Sequence, residues 1–493
     1  MTGRYVIQYV RMTKYTIKGR VNTMKKRITS ILNTFLYTLC ASSTLLLAGC
    51  SKTDTHGLSV KNPTSIKIWH YYNGALAAAF DELVSEFNNT LGREQGIVVN
   101  AESMSTVTDL ENALWDAANE KVGAPDMPNI FQCYQDTAFA LDKEISLVNF
   151  DDYITEEERN SYVELFVDAG CIGENHAWKL YPTAKSTEVL ILNKTDWDKF
   201  ALDTGVTTQA LSTWEGLTET AQTYYEWSGG KAFFGRDAFA NYPIIASSQL
   251  GHEIFQVTDG GTALDFDHDA MRKIWEHFYV PYVKGYYRHI GKFRSDDVKL
   301  GEIIALVCSS SSAVYFPTEV TPADGTPYPI EHLVLPLPNF DQTAPCAVQQ
   351  GAGMAVTKST EAEEYASVLF LKWFTQWQQN LKFSVNSGYM PVSKEAVNPE
   401  NVEQFLSENP TSAIVSDTLR VALEENKNYM MYTPPAFTGG TQARSVLDTT
   451  MLELALRDRA AVDGGTAIDK FLTDEHFEEW YNSTLKQLEA CCK

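Results

Sequence analysis

Ser65-Ile-Lys-Ile-Trp69 runs into His70-Tyr-Tyr-Asn-Gly74 and then into residues 75–88, and the fold class turns on how this stretch reads. Polar and apolar residues alternate over 65–69 with the period of a half-buried strand. Leu76, Ala79, Phe80, Leu83, Val84 and Phe87 then recur at helical intervals along one face. The pattern repeats. Gly96-Ile-Val-Val-Asn100 predicts a second strand, residues 109–118 a second helix, and Pro128-Asn-Ile-Phe-Gln132 a third strand. Such strand–helix alternation predicts a parallel sheet with flanking helices, an α/β architecture. Ligands of these sheets sit beyond the carboxyl ends of the strands, which places residues 70–73 and 133–136 beside a candidate cleft.

Further along, Tyr181-Pro-Thr-Ala-Lys-Ser-Thr-Glu-Val-Leu-Ile-Leu-Asn193 reads as one strand, long enough to cross between two lobes. Thr213 is the N-cap of a helix opening at Trp214, without the glutamate that would complete a capping box. Residues 269–280 predict a helix, 303–312 a strand ending in four serines, and 327–338 a proline-rich extended segment. Residues 351–356 form a short strand whose two glycines permit close backbone approach. An amphipathic helix spans 361–380, a turn 387–391, and helices broken at 432–440 fill 401–492. Internal repeats and low-complexity runs are absent from the sequence.

Ahead of the first strand, the basic cluster Lys25-Lys-Arg27 precedes an apolar segment over 28–47 that closes on Leu45-Leu-Leu-Ala-Gly-Cys50. A basic region, an apolar region and small residues at a cut site make a secretory signal, outside the fold. The cysteine after Ala-Gly resembles the lipobox of bacterial lipoproteins, which implies lipidation of Cys50 and a polar tether over 51–64. Met24 opens a conventional signal, so residues 1–23 read as an upstream extension or an early start codon. Residues 1–49 hold eight of the 40 Lys and Arg and none of the 63 Asp and Glu, leaving 32 basic against 63 acidic residues, net −31. A body of that charge is repelled by phosphate backbones and anionic headgroups, so nucleic acid is excluded as a partner and membrane contact is expected through the lipid alone. About 440 residues remain after the signal, enough for two or three domains or one two-lobed body. Ten Trp and 24 Tyr suit a globular core and equally a sugar-binding cleft.

Taken together, these landmarks resemble the family 1 extracellular solute-binding proteins of ABC importers. The resemblance rests on the Trp69-His-Tyr-Tyr strand end, Lys185-Ser-Thr-Glu-Val-Leu with Asn193, and Thr213-Trp-Glu. It continues through Leu306 to Ser312, residues 351–356, Phe370-Leu-Lys-Trp-Phe-Thr and Gly388-Tyr-Met-Pro-Val392, in that order behind the lipobox. It implies a type II periplasmic-binding-protein-like fold whose lobes are joined by crossing strands and close on a ligand by a hinge. The expected lobes are 64–184 with 352–390, and 185–351 with 391–493. It further implies a monomeric, non-enzymatic receptor without cofactor or metal, lipid-anchored at the extracytoplasmic face, which passes a small solute to permease subunits. Within the family the chain is most similar to the glycerol-3-phosphate-binding branch, through Trp69-His70, Ile130-Phe-Gln-Cys-Tyr134, the serine run before Ala313, Gly388-Tyr-Met-Pro391, and Thr433-Pro-Pro-Ala-Phe-Thr438 followed by Arg444. On that branch the ligand positions correspond to Ser186, Ser311, Gly351, Tyr389 and Arg444, where a guanidinium fork suits a phosphate. Trp69, Tyr71, Tyr134 and Gln135 complete the candidate set. Gln135 stands where the branch has a glutamate, and residues 233–243 lack its tryptophan-rich pattern, so a carbohydrate is an equal candidate for the ligand.

Other chemistries leave weaker traces. Asp265-Phe-Asp-His-Asp269 with Glu276 imitates a calcium loop, but Ala270 replaces the required glycine and Lys273 fills a ligand position. The acids read more simply as caps of the helix that follows. Gly251-His-Glu-Ile-Phe-Gln256 lacks the second histidine of a zinc protease, and neither a GxSxG elbow nor a P-loop occurs. Cys133, Cys171, Cys308, Cys346, Cys491 and Cys492 remain after the signal, without CxxC or zinc-type spacing. A disulfide among them is allowed in an oxidising compartment, with no pairing assigned. A lipid-anchored glycoside hydrolase and a non-catalytic surface adhesion protein are the alternatives to a receptor. The first leaves no spacing to recognise, because its carboxylates meet only in space.

Overall fold

The computed structural model describes residues 56–173, 175–258, 261–323 and 325–492. The signal segment, Cys50 and most of the tether lie outside the described residues. No helix among the described residues is long and apolar enough to cross a membrane.

The opening stretch folds as its periodicity predicts. Strand Thr64–His70 pairs in parallel with Ile97–Ser103, from Thr64 opposite Ile97 to His70 opposite Ser103, and in parallel with Ile130–Cys133 on its other edge. Gly353–Val356 returns from far along the chain and pairs antiparallel with Ile130–Cys133, completing a four-stranded sheet. Helix Gly74–Asn89 buries Leu76, Ala79, Phe80, Leu83, Val84 and Phe87, the same residues that set its period. Adjacent strand residues face opposite sides. Ile66 and Ile68 thus join one core with Phe80 and Phe370, while Trp69 joins another with Leu110, Leu114 and Phe131.

A second four-stranded sheet is ordered His332–Pro336, Glu188–Asn193, Ala305–Ser309 and Phe234–Arg236. Glu188–Asn193 runs antiparallel to both neighbours. Val189 and Ile191 enter one core, Leu190 and Leu192 the other, so this sheet is covered on both faces. Helix Ala413–Asn428 ties the two systems together, with Leu419 and Ala422 in the first-sheet core and Ile414 and Val421 against the second. Val392, Ala396, Val402 and Phe405 also bury with the first sheet, so the chain after 390 serves both cores.

Three elements differ from expectation. The long strand 181–193 is a regular ladder only from Glu188 onward. Before that the chain changes partner at nearly every step, from Met354 at Tyr181 to Met390 at Lys185 and Gln350 at Ser186, and Pro182 has no N–H to donate. The serine-ended strand stops at Ser309 and a 3-10 turn spans Ser310–Tyr315, because short hydroxyl side chains compete with the ladder. The helix expected over 361–380 is two, Glu361–Phe374 and Trp377–Ser387. At the break the Thr375 hydroxyl binds the Leu371 carbonyl at 2.8 Å and the Tyr162 hydroxyl at 2.8 Å. The calcium-like run is a cap: Asp267 accepts from the Ala270 N–H at 2.9 Å, and Asp265 lies 3.1 Å from His252. All six described cysteines are free thiols.

Phe80 is fully buried and meets Phe374 and His70 edge-on, with ring centroids 5.5 and 4.8 Å apart. Phe80→Ala is expected to destabilise the protein by about 3–5 kcal/mol in denaturant unfolding. A loss below about 1 kcal/mol would show that the sheet and its helix are not held by this contact.

Candidate ligand-binding cleft

Two chain segments pass between the sheets, and the cleft is built where they touch. One is 181–188. The other is 348–353, whose Gln350 exchanges backbone hydrogen bonds with Ser186 at 2.8 and 2.9 Å. Gly351 adopts φ +107, and a Cβ there would stand 2.9 Å from the Ala184 carbonyl oxygen, so only glycine fits this crossing without strain. Successive residues of an extended segment point to opposite sides. Lys185 therefore faces a cavity while Ser186 faces away.

That cavity, about 350 Å³, is lined by Tyr134, Gln135, Asp136, Lys185, Gln349, Gly351 and Arg444, among others. A larger one of about 1070 Å³ adjoins it through the shared residues Val107 and Tyr134 and is lined by Tyr71, Ser311, Tyr315 and Tyr389. Of the expected site residues, the smaller cavity gathers Tyr134, Gln135, Gly351 and Arg444; the larger gathers Tyr71, Tyr134, Ser311 and Tyr389. Trp69 and Ser186 line neither. Trp69 is fully buried on the opposite face of its strand from Ile68, and Ser186 is 2% exposed within the crossing.

Arg444 projects from the first turns of helix Gly440–Asp463. Its Nη2 donates to Asn241 Oδ1 at 2.6 Å, and Asn241 Nδ2 donates to Glu188 Oε1 at 2.8 Å and Gln350 Oε1 at 3.1 Å. Glu188 Oε2 in turn accepts from Arg236 Nη2 at 2.7 Å, with both side chains 1% exposed. The cleft arginine is thus oriented through an amide by a buried ion pair. Lys185 Nζ donates to the Gly351 carbonyl at 3.2 Å. It makes no ion pair among the described residues, and burial pulls its pKa down to about 8. Burial pushes the Asp136 carboxyl up to about 6, with Arg444 drawing it down and Glu111 adding to the rise. Gln349 Oε1 is buried without a hydrogen-bond partner.

In the larger cavity Tyr71 and Tyr134 stack at 6.3 Å with planes 11° apart, and Tyr389 stacks on Phe383 at 6.2 Å. Burial raises the pKa of both Tyr71 and Tyr389, leaving neutral hydroxyls at the cavity wall. Ser311 Oγ lies 2.9 Å from Ser309 Oγ. The arrangement offers cations and amides at one end and aromatic faces with hydroxyls at the other. Lys185, Asn241 and Gln349 are not among the candidate ligand residues, although Lys185 adjoins Ser186 and Gln349 lies two positions before Gly351; Asp136 belongs to the 133–136 stretch that its strand end places beside the cleft.

Comparison with known proteins bears on both fold and family. No curated protein matches the chain in sequence. The structure is similar to a cyclic α-maltosyl-1,6-maltose binding protein from Arthrobacter globiformis at 17% identity, with TM-score 0.65, covering 88% of this chain and 100% of that one. It is also similar to UgpB from Mycobacterium tuberculosis, solved with glycerophosphocholine, at 18% identity with TM-score 0.66, covering 87% and 98%. A maltotriose binding protein from Thermus thermophilus bound with maltotriose is similar at 15% identity with TM-score 0.58, covering 87% and 100%. These likenesses carry the periplasmic-binding-protein-like fold expected above. Residues 82–410 match the family of bacterial extracellular solute-binding proteins, and the chain belongs to that family.

Proposed function

We propose that this chain is the solute-capturing receptor of an ABC importer, anchored through a lipid on Cys50 at the extracytoplasmic face, and that it takes a small polyol bearing an anionic group, of the glycerol phosphate type. The family supplies the small-molecule-binding component of ABC importers, which works with permease subunits. The receptor acts as a monomer and catalyses no reaction. Its two lobes, each built on one of the four-stranded sheets, close about the crossing at Lys185 and Gly351, and residues 392–405 go with the first lobe rather than with the second as the expected bounds had them.

The observation that carries the ligand assignment is the pair of cations in one small cavity, Lys185 without a carboxylate partner and Arg444 held by an amide. A buried ammonium lacking a counter-ion gains from an arriving anion both charge compensation and hydrogen bonds. Gln349 Oε1 awaits a donor, which a polyol hydroxyl supplies. A second reading, a neutral oligosaccharide, is favoured by the tyrosine faces of the larger cavity.

The two readings part in a thermal-shift screen against glycerol-3-phosphate, glycerophosphodiesters and mono- and oligosaccharides. A ligand at 100 times its dissociation constant adds ~2.7 kcal/mol of stability. Shifts with the phosphorylated glycerols are expected, and Lys185→Met or Arg444→Ala should weaken their binding about 10- to 100-fold, the loss of a charge-assisted hydrogen bond. Shifts with sugars alone, unchanged in both variants, would sink the anionic reading. Asp136 supplies a second check. Its ordinary pKa is about 3.9 and its folded value about 6. The folded state therefore holds a proton that the unfolded chain releases, and stability falls as pH rises from about 4 to about 6. Asp136→Asn should be about 1–2 kcal/mol more stable than wild type at pH 7, near equal at pH 4, and should bind an anionic ligand more tightly. A variant less stable at pH 7 would contradict this account.

A further inference from the structure

We propose a zinc site at Asp168, Cys171 and His176, apart from the cleft. The residues are spaced Asp-x2-Cys-x4-His, which is no zinc-type pattern in sequence. A hairpin makes the site: Cys171 pairs with Trp178 and Ile172 with Ala177, so the chain doubles back and returns His176 towards the end of helix Glu164–Asp168. One ligand atom from each of the three side chains lies within 4.8 Å of the others. Asp168 and His176 are exposed and make no other side-chain interaction among the described residues, so modest rotations can bring them in. Bonds of about 2.0–2.3 Å to a tetrahedral ion put ligand atoms roughly 3.2–3.8 Å apart, a spacing within the reach of this cluster. Thiolate, imidazole and carboxylate together suit Zn²⁺ above the hard divalent cations, with water at the fourth position.

The surroundings fit this role. Arg159 Nη2 donates to Cys171 Sγ at 3.5 Å, as an outer partner does for a metal-bound thiolate. Its charge is already met by Asp151 at 2.6 Å, and its guanidinium lies over the Trp178 ring. On binding, the Cys171 thiol gives its proton to solvent as the sulfur–zinc bond forms. The turn so fixed includes Ala169, whose carbonyl accepts a hydrogen bond from Gln135 Nε2, a residue of the smaller cavity. The metal thereby stiffens one wall of the cleft without entering it.

The test uses Co²⁺ as a spectroscopic stand-in and needs no solute, so it stands or falls separately from the transport reading. Chelator-treated protein is titrated with Co²⁺ and then with Zn²⁺. One equivalent should give the near-ultraviolet band of a sulfur–cobalt bond, and Zn²⁺ should abolish it. Cys171→Ser should remove the band. His176→Ala, at an exposed position that leaves folding intact, should weaken cobalt affinity at least about tenfold, since even outer-shell changes cost about 10–100-fold. Absence of the band in wild type overturns the proposal. So does a band that survives both substitutions, which would assign it to Cys491 and Cys492.

Discussion

The buried pair of Glu188 and Arg236 is the constraint on which the cleft depends. Two charges removed from water are tolerable only with good geometry and further hydrogen bonds. Here Glu188 has both, one oxygen on Arg236 and the other on Asn241, while Arg236 also lies over the Tyr242 ring at 5.3 Å. Breaking such a pair by removing one partner costs about 3–5 kcal/mol, so neither residue is free to move. Glu188 opens one of the two central strands of the second sheet directly after the crossing, and Arg236 ends an edge strand of the same sheet. The pair therefore joins sheet to cleft. Asn241 is held by it and passes the constraint to Arg444.

The crossing sets the rest of the site. Where segments 181–188 and 348–353 touch, no regular ladder can run, since each residue meets a different neighbour. Backbone groups are satisfied one at a time, and side chains on one side of each segment are left facing the cavity. Lys185 faces it from one segment, and Gln349, Gln350 and Gly351 line it from the other. The absence of a Cβ at Gly351 lets the two backbones close up. Any larger residue would push Ala184 and Lys185 apart and displace the ammonium with them.

Legibility followed the range of the interactions. The parallel strands and helix at 64–103 are local patterns, and the periodic residues are the buried ones. The break at Thr375 was hidden because it depends on Tyr162, which lies 213 positions away. Tyr71, Tyr134, Gln135, Ser311, Gly351, Tyr389 and Arg444 line the cavities, while Ser186 lies within the crossing and its neighbour Lys185 lines the smaller cavity. That difference is one residue of register, which a segment without a continuous partner leaves unspecified until it is folded. Trp69 shows the converse. An aromatic residue at a strand end near a cleft is as readily core as platform, and the face assigned to Ile68 decides it.

Charge then distinguishes the cleft from the body around it. The chain is strongly acidic, with a net charge of −23, and most ion pairs among the described residues are exposed, such as Arg420 with Glu403 at side-chain exposures of 44% and 55%. Pairs of that kind contribute about 0–1 kcal/mol each and are screened by salt. The cleft cations are different in kind, because the low-dielectric walls that lower the pKa of Lys185 also strengthen its attraction to any anion that displaces water beside it. An acidic exterior offers an anion no long-range attraction. Any selection of an anion must therefore come from contacts made inside the cavity, where one buried ammonium, one tethered guanidinium and an unpartnered glutamine oxygen stand together with the carboxyl groups of Glu111 and Asp136.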